Sequence, residues 1–281
     1  MFLIRWIALN LGRPFARLFL YPIAFYFLVF SIKARRASRK YLTRIFNREP
    51  TLLEQWRHFH TFSSTILDRV YLLTGQEHLL DIQIHNADIP LEKMKSGQGC
   101  ILLGSHLGSF EVLRILAVHE KDLPLKILMY SDHNETITRM LNALDPEIIK
   151  TVIPLGKVDT LLKVKESLDQ GYSIGMLGDR IAESDKQVEC KILGETVPFP
   201  AGPMLLSVAL NVPIVLFYGL YKGGRRYDVH FELLTEAPNV SRKQRGAVVD
   251  TLTCRYAQRL EYYAHQAPYN WFNFYDYWDT P

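Results

Sequence analysis

His106 and Glu111 stand five positions apart in Gly104-Ser-His-Leu-Gly-Ser-Phe-Glu111, a pairing of residue types that can move a proton. A neutral imidazole takes a proton from an alcohol or amine through one free ring nitrogen. A carboxylate on the other nitrogen fixes the tautomer and stabilises the imidazolium that forms. Amide groups at the start of a helix, here those of Gly108 and Ser109, are candidate donors to a developing oxyanion. The plainer alternative is a loop histidine, with Glu111 pairing to Arg114 along a helix face.

The surrounding chain argues for the first reading. Cys100 to Leu103 is a short unbroken apolar run behind Gly97-Gln-Gly99, as expected of a strand buried on both faces. From Phe110 to Val118 the hydrophobicity continues over a length more typical of a helix. His106 then falls at the carboxyl end of a strand, where open α/β sheets usually carry their sites. Further strands are expected at Leu125–Tyr130, Thr151–Pro154 and Ser173–Leu177, with helices from Asn134 to before Pro146 and from Val158 to Asp169. Ile82–His85 reads as an edge strand followed by a short helix over Asp88–Lys95. This alternation predicts a mixed, mostly parallel central sheet flanked by helices.

Such a sheet puts His106, Asp132 and Asp179 with Arg180 on one rim. Asp132, Asn134 and Arg139 are candidates for gripping substrate, or an ordinary polar turn and helix cap. Arg180 can hold a phosphate or carboxylate bidentately, or form a structural turn with Asp179.

Beyond this, Gln187–Pro198 reads as a hairpin about Leu193-Gly194, Met204–Leu210 as a helix opened by Pro203, and Ile214–Tyr218 and Tyr227–Leu233 as strands. Ser241 with Gln244 suggests a capping box for a helix to about Tyr263. The last stretch, Pro268 to Trp278, places seven aromatics among polar residues, suited to wrapping the core or to a lipid interface.

Thr51–Leu80 has Leu52, Trp56, Phe59, Phe62, Ile66, Val70 and Leu73 at helical spacing, interrupted at Gly75. His58 and His60, two apart, cannot share a metal on a helix and read as surface or interfacial residues. Upstream, Leu18–Ile32 is uncharged, shorter than the roughly twenty residues of a clean span, and follows Arg5, Arg13 and Arg17. The basic run Lys33, Arg35, Arg36, Arg39, Lys40, Arg44 and Arg48 comes next. We expect residues 1–48 to form a tilted, partly inserted anchor with a basic juxtamembrane segment facing anionic headgroups, and residues 49–281 the catalytic domain. A buried N-terminal helix is the alternative.

With 33 basic and 29 acidic residues the net charge is only +4, which does not indicate a nucleic-acid partner. Cys100, Cys190 and Cys254 are an odd, scattered set, against a disulfide framework or a CxxC metal site, and a reducing compartment is the simplest setting. GxSxG, GxxxxGK[ST] and GxGxxG are absent, which disfavours a soluble hydrolase or a nucleotide site.

The chain resembles the bacterial lipid A biosynthesis (late) acyltransferases of the lysophospholipid and glycerolipid acyltransferase superfamily. The resemblance rests on the apolar N-terminus, His106-Leu-Gly-Ser-Phe-Glu111, Leu193-Gly-Glu-Thr-Val-Pro-Phe-Pro-Ala-Gly-Pro203, Val212-Pro-Ile-Val215 and Tyr269-Asn-Trp-Phe-Asn-Phe-Tyr275. It implies a glycerolipid-acyltransferase-like α/β fold and transfer of an acyl chain from acyl carrier protein or coenzyme A to a hydroxyl or amine of a lipid-like acceptor. His106 would be the base and Glu111 its orienting partner, at the cytoplasmic side of the inner membrane. No Phe-Pro-Glu-Gly-Thr-Arg block falls near Met176-Leu-Gly-Asp-Arg-Ile181, which argues against glycerol 3-phosphate as acceptor. A thioester is already activated, so this chemistry needs no cofactor, metal or covalent serine. A catalytically silent lipid-binding scaffold with the same fold is the competing reading.

Overall fold

In the computed structural model, which describes residues 8–113, 124–130, 151–181 and 186–278, strand β2 (Ile101–Gly104) is wholly buried because its side chains alternate between two cores. Ile101 and Leu103 point into a large cluster with Ile174, Met204, Leu216, Tyr256 and Leu260. Cys100 and Leu102 point the other way, against Leu72, Met94, Phe217 and Phe231. Period-two alternation puts neighbouring residues on opposite faces, so a continuous apolar run is what a two-sided strand requires.

Among the described residues the sheet has seven strands in the order β1-β9-β8-β2-β5-β3-β4. These are β1 (Asp81–His85), β3 (Leu125–Tyr130), β4 (Val152–Leu155), β5 (Ser173–Leu177), β8 (Ile214–Gly223) and β9 (Arg226–Thr235) around β2, while β6 (Gln187–Ile192) and β7 (Glu195–Pro200) form a separate hairpin. All main-sheet pairings are parallel except β8 with β9. β1 is the edge strand expected, and the hairpin turns at Leu193-Gly194, both in the left-handed region. The mixed, mostly parallel α/β reading therefore holds.

The helices among the described residues include α1 (Arg13–Leu18), α2 (Leu20–Phe30), α3 (Ile32–Phe46), α4 (Leu52–Leu73), α5 (Asp88–Lys95), α6 (Thr160–Asp169), α7 (Gly202–Leu210) and α8 (Arg245–Gln266). Thr51 and Glu54 form a reciprocal capping box that starts α4, and the chain leaves it through Gly75 at φ 70°. The box expected at Ser241 is not formed: α8 starts at Arg245, and the Ser241 hydroxyl bonds the Gln244 side chain instead. Helix from Phe110 onward is described only as a 3-10 turn over Phe110–Val112. Arg114 and the helix expected from Asn134 lie outside the described residues.

Three features depart from the sequence reading. Cys190 on β6 and Cys254 on α8 are joined as a disulfide, leaving Cys100 as the free cysteine, because the hairpin packs on α8 and brings together residues 64 apart. His58 is fully buried rather than superficial. The basic run also does not simply face outward: Arg39 pairs with Glu49, Lys40 with Asp276, Arg44 with Glu195 and Arg48 with Glu54. Tyr41, Leu42 and Ile45 of α3 belong to the main core, so residues on both sides of position 48 share it.

Candidate active site

β2 and β5 are parallel neighbours, and their pairing continues one residue past the strands through Gly178 N–H to Gly104 O at 3.1 Å. The chain segments leaving them must therefore emerge side by side. His106 and Asp179 meet there, with imidazole Nδ1 2.8 Å from Asp179 Oδ1. The His106 backbone N–H donates to both carboxylate oxygens at 3.0 Å, and Trp271 Nε1–H donates to Oδ2 at 2.9 Å.

Asp179 is inaccessible to solvent, whereas 27 % of the His106 side chain is exposed. Burial pushes the Asp179 carboxyl upward, but the adjacent His106, Arg180 and the Trp271 N–H outweigh it and hold the group down at about 2. An ionised carboxylate can only accept, so it fixes Nδ1–H as the donor and leaves Nε2 as the free base. Nε2 carries no hydrogen bond among the described residues.

The C-terminal stretch fastens this loop. Phe272 N–H donates to His106 O at 2.9 Å, Leu107 bridges to Trp271, and Gly108 N–H donates to Asn270 O at 2.9 Å. The Asn270 side chain clasps both backbone groups of Tyr221 on β8. Trp271, Phe272 and Tyr277 are buried, so these aromatics wrap the core. On the far side His58 bridges Ser38 Oγ to Trp271 O, both at 2.9 Å. A carbonyl can only accept, so Nε2–H donates to Trp271 and Nδ1 accepts from Ser38. Burial lowers the His58 imidazole to about 4, against a weaker opposing effect of the Trp271 carbonyl, and keeps it neutral.

Glu111 is placed differently from the sequence expectation. Its Oε1 pairs with Arg69 Nε of α4 at 2.7 Å, and its Oε2 accepts from Ser109 Oγ at 3.1 Å. The carboxylate on His106 Nδ1 is that of Asp179. The amides suggested as oxyanion donors are already engaged: Gly108 N–H with Asn270 O, and Ser109 N–H with Gly219 O at 2.8 Å. Gly108 itself is obligatory on two grounds, a φ of 81° and a Cβ position that would strike the Gly219 carbonyl.

Arg180 sits beside Asp179, donating from Nε to Asn273 Oδ1 at 3.2 Å and from a terminal nitrogen to Phe272 O at 3.0 Å. Its guanidinium lies 5.4 Å from the centre of the Tyr275 ring. Asn273 is buried, and its Nδ2 lacks a hydrogen-bond partner among the described residues. Asp132, Asn134 and Arg139 lie outside the described residues.

The rim reading thus brought His106, Asp179 and Arg180 together, but missed Asp179 on the imidazole and the whole contribution of Trp271, Asn270 and His58. The available signal was the strand-end position of Asp179; the partnership itself required knowing that β2 and β5 are adjacent.

A search of curated proteins gave no match to this chain. A family model described as bacterial lipid A biosynthesis acyltransferase matches residues 1–280. The chain belongs to that acyltransferase family.

Proposed function

We propose that the chain transfers a fatty acyl group from an acyl carrier protein or coenzyme A thioester to a hydroxyl or amine of a lipid-like acceptor, with His106 as general base. The reading is supported above all by the His106–Asp179 pair, in which a buried carboxylate is fastened to Nδ1 while the ring remains partly exposed. His106 Nε2 takes the acceptor proton as the oxygen or nitrogen attacks the thioester carbonyl. Collapse of the tetrahedral oxyanion expels the thiolate, and the imidazolium returns its proton to the sulfur. Asp179 orients the ring and stabilises its charged form. Glu111 acts one step back, holding the Ser109 hydroxyl and tying the loop to α4 through Arg69. Arg180 and Asn273 supply a cation and an N–H donor beside the pair, suited to an acceptor anion or the oxyanion.

The protein works, in this reading, on the cytoplasmic side of the inner membrane. Arg13–Phe30 is long and apolar enough to cross a membrane, with only 22 % of that window buried. Ala16 and Leu20 pack on Leu67 and Tyr71, and Ala24 and Leu28 on Phe59, while Phe15, Leu18, Phe25 and Phe30 face outward. Arg13 is also bound to the buried Asp68 at 2.7 Å. A segment held to the body along one side and apolar along the other suits lying in the interface better than standing across it.

The test is thiol release from acyl-coenzyme A and from acyl carrier protein, with a lipid extract as acceptor and mass spectrometry of the product. Wild type should release thiol and form an acylated lipid, and His106→Ala should lose both. Thiol release undiminished in His106→Ala would refute the assignment of the base.

A further inference from the structure

A second cluster of chemically capable side chains lies on the other side of β8, on strands that the acyl-transfer reading does not use. His85 on β1 and His230 on β9 are register partners, so their side chains leave the same face of the sheet. Asp228, two residues before His230, is on that face as well. One ligand atom from each of the three lies within 4.8 Å of the other two. The imidazole rings stack with centroids 4.5 Å apart and planes inclined by 10°. Among the described residues, neither ring has a hydrogen bond.

We propose that His85, His230 and Asp228 bind one divalent transition-metal ion of the zinc type. Two imidazole nitrogens and one carboxylate oxygen are a borderline donor set that suits zinc and leaves a fourth position open. A cavity of about 170 Å³ lined by Asp81, Gln83, Lys222, Arg226 and Asp228 meets the cluster at Asp228. Imidazole ligates as the neutral base. Lys222 Nζ stands 3.9 Å from Asp228 Oδ2, a long contact that a bound cation would displace. The ion would bridge β1 to β9, stapling an edge strand of five residues whose other side has no partner strand among the described residues. Its role is structural and separate from the His106 chemistry.

The experiment uses tag-free full-length protein in detergent, stripped with a chelator and titrated with Zn2+ and with Co2+ as a spectroscopic substitute. Wild type should bind one ion per chain, give the visible absorption bands of low-coordinate Co2+, and melt at a higher temperature with Zn2+ than without. His85→Gln, His230→Gln and Asp228→Asn should each weaken binding by at least about tenfold and abolish the melting shift, whereas His78→Gln at another exposed histidine should do neither. X-ray absorption of Zn2+-loaded wild type, which does not depend on any variant folding, should show two imidazole nitrogens and an oxygen. Failure to bind, undiminished binding in all three variants, or a shell containing sulfur would overturn the site.

Discussion

The two ends of the chain are both rich in aromatic and aliphatic residues, yet they meet the body in opposite ways. The C-terminal stretch sinks Trp271, Phe272 and Tyr277 below the surface, while α1 and α2 leave Phe15, Phe25 and Phe30 in the open, the last at 67 % exposure. The difference lies in polar spacing. Asn270 and Asn273 interrupt the tail, and their amides, with the backbone between them, satisfy β8, the His106 loop and Arg180. A segment whose polar groups mostly find partners can be buried, and in the tail Asn273 Nδ2 is an exception among the described residues. In α2 the backbone bonds are internal to the helix and the outward side chains are aromatic and aliphatic, with only the hydroxyls of Tyr21 and Tyr26 polar among them, so that face suits an apolar partner with a polar edge.

The sharpest way to break this comparison is to remove what the tail is proposed to hold. His106→Ala should reduce kcat by about a hundred- to ten-thousand-fold, the range of a positioned general base. Asp179→Asn should approach that loss, because an amide can present the wrong group to Nδ1 and favour the wrong tautomer. Glu111→Gln should lose less, since its carboxylate meets Arg69 and Ser109. Equal kcat for Asp179→Asn and wild type would return the orienting role to Glu111.

At the opposite end the tie to the body is a charge. Arg13 meets Asp68 through two bonds of 2.7 and 2.8 Å, and Tyr227 Oη adds a third at 2.9 Å. Asp68→Ala strands a mostly buried guanidinium and should cost about 3–5 kcal/mol in urea unfolding. Glu49→Ala, which breaks the exposed Arg39 pair, should leave the midpoint nearly unchanged. A small effect at Asp68 would mean that the N-terminal helices are not fastened there.

The junction of tail and α4 has its own pH signature. His58 is held neutral by burial at about 4, below the 6.5 of an exposed imidazole. The unfolded chain therefore binds a proton that the folded chain refuses, and stability falls as pH drops from 6.5 to 4, by about 3 kcal/mol when complete. Asp179 adds a second window: its carboxyl is held at about 2 against the usual 3.8, so its stabilisation is present above pH 4 and is lost as pH falls toward 2. His58→Gln can keep both hydrogen bonds without titrating, and should flatten the upper window while leaving the lower one. Parallel pH profiles for the two proteins would place the upper transition elsewhere.

Local pattern made much of the fold legible. The apolar runs at Cys100–Leu103 and Ser173–Leu177 and the Leu193-Gly194 turn declare themselves because each depends on neighbours within a few residues. The capping box that starts α4 at Thr51 and Glu54, by contrast, was not expected, and the one expected at Ser241 is not formed. The His106–Asp179 pairing depends instead on strand order. β3 and β4 intervene in sequence, but lie beyond β5 in the sheet. His58 was illegible for a related reason: it is packed among Tyr41, Phe272 and Phe274 and bonded to a carbonyl 213 residues away. Spacing within one helix says nothing about such a partner, nor about the fold that brings Cys190 to Cys254.

The smallest expected effect concerns the outward face of α2. Each exposed phenylalanine there can bury its ring in lipid, worth roughly 1.5–3 kcal/mol if fully inserted. Phe25 and Phe30 are 60 % and 67 % exposed and make no contact with the two larger core clusters. Phe25→Ser or Phe30→Ser alone should therefore weaken sedimentation with anionic phospholipid vesicles by about tenfold, while urea unfolding in detergent stays near wild type. The paired change should be close to additive, because insertion of each ring is a separate transfer from water. Lys33→Gln and Arg36→Gln, basic positions at the start of α3, should weaken binding less and in a salt-dependent way. If the serine variants bind vesicles like wild type but unfold early, the face is covered by protein instead, and the contrast between the two ends of the chain is one of partners rather than of solvent.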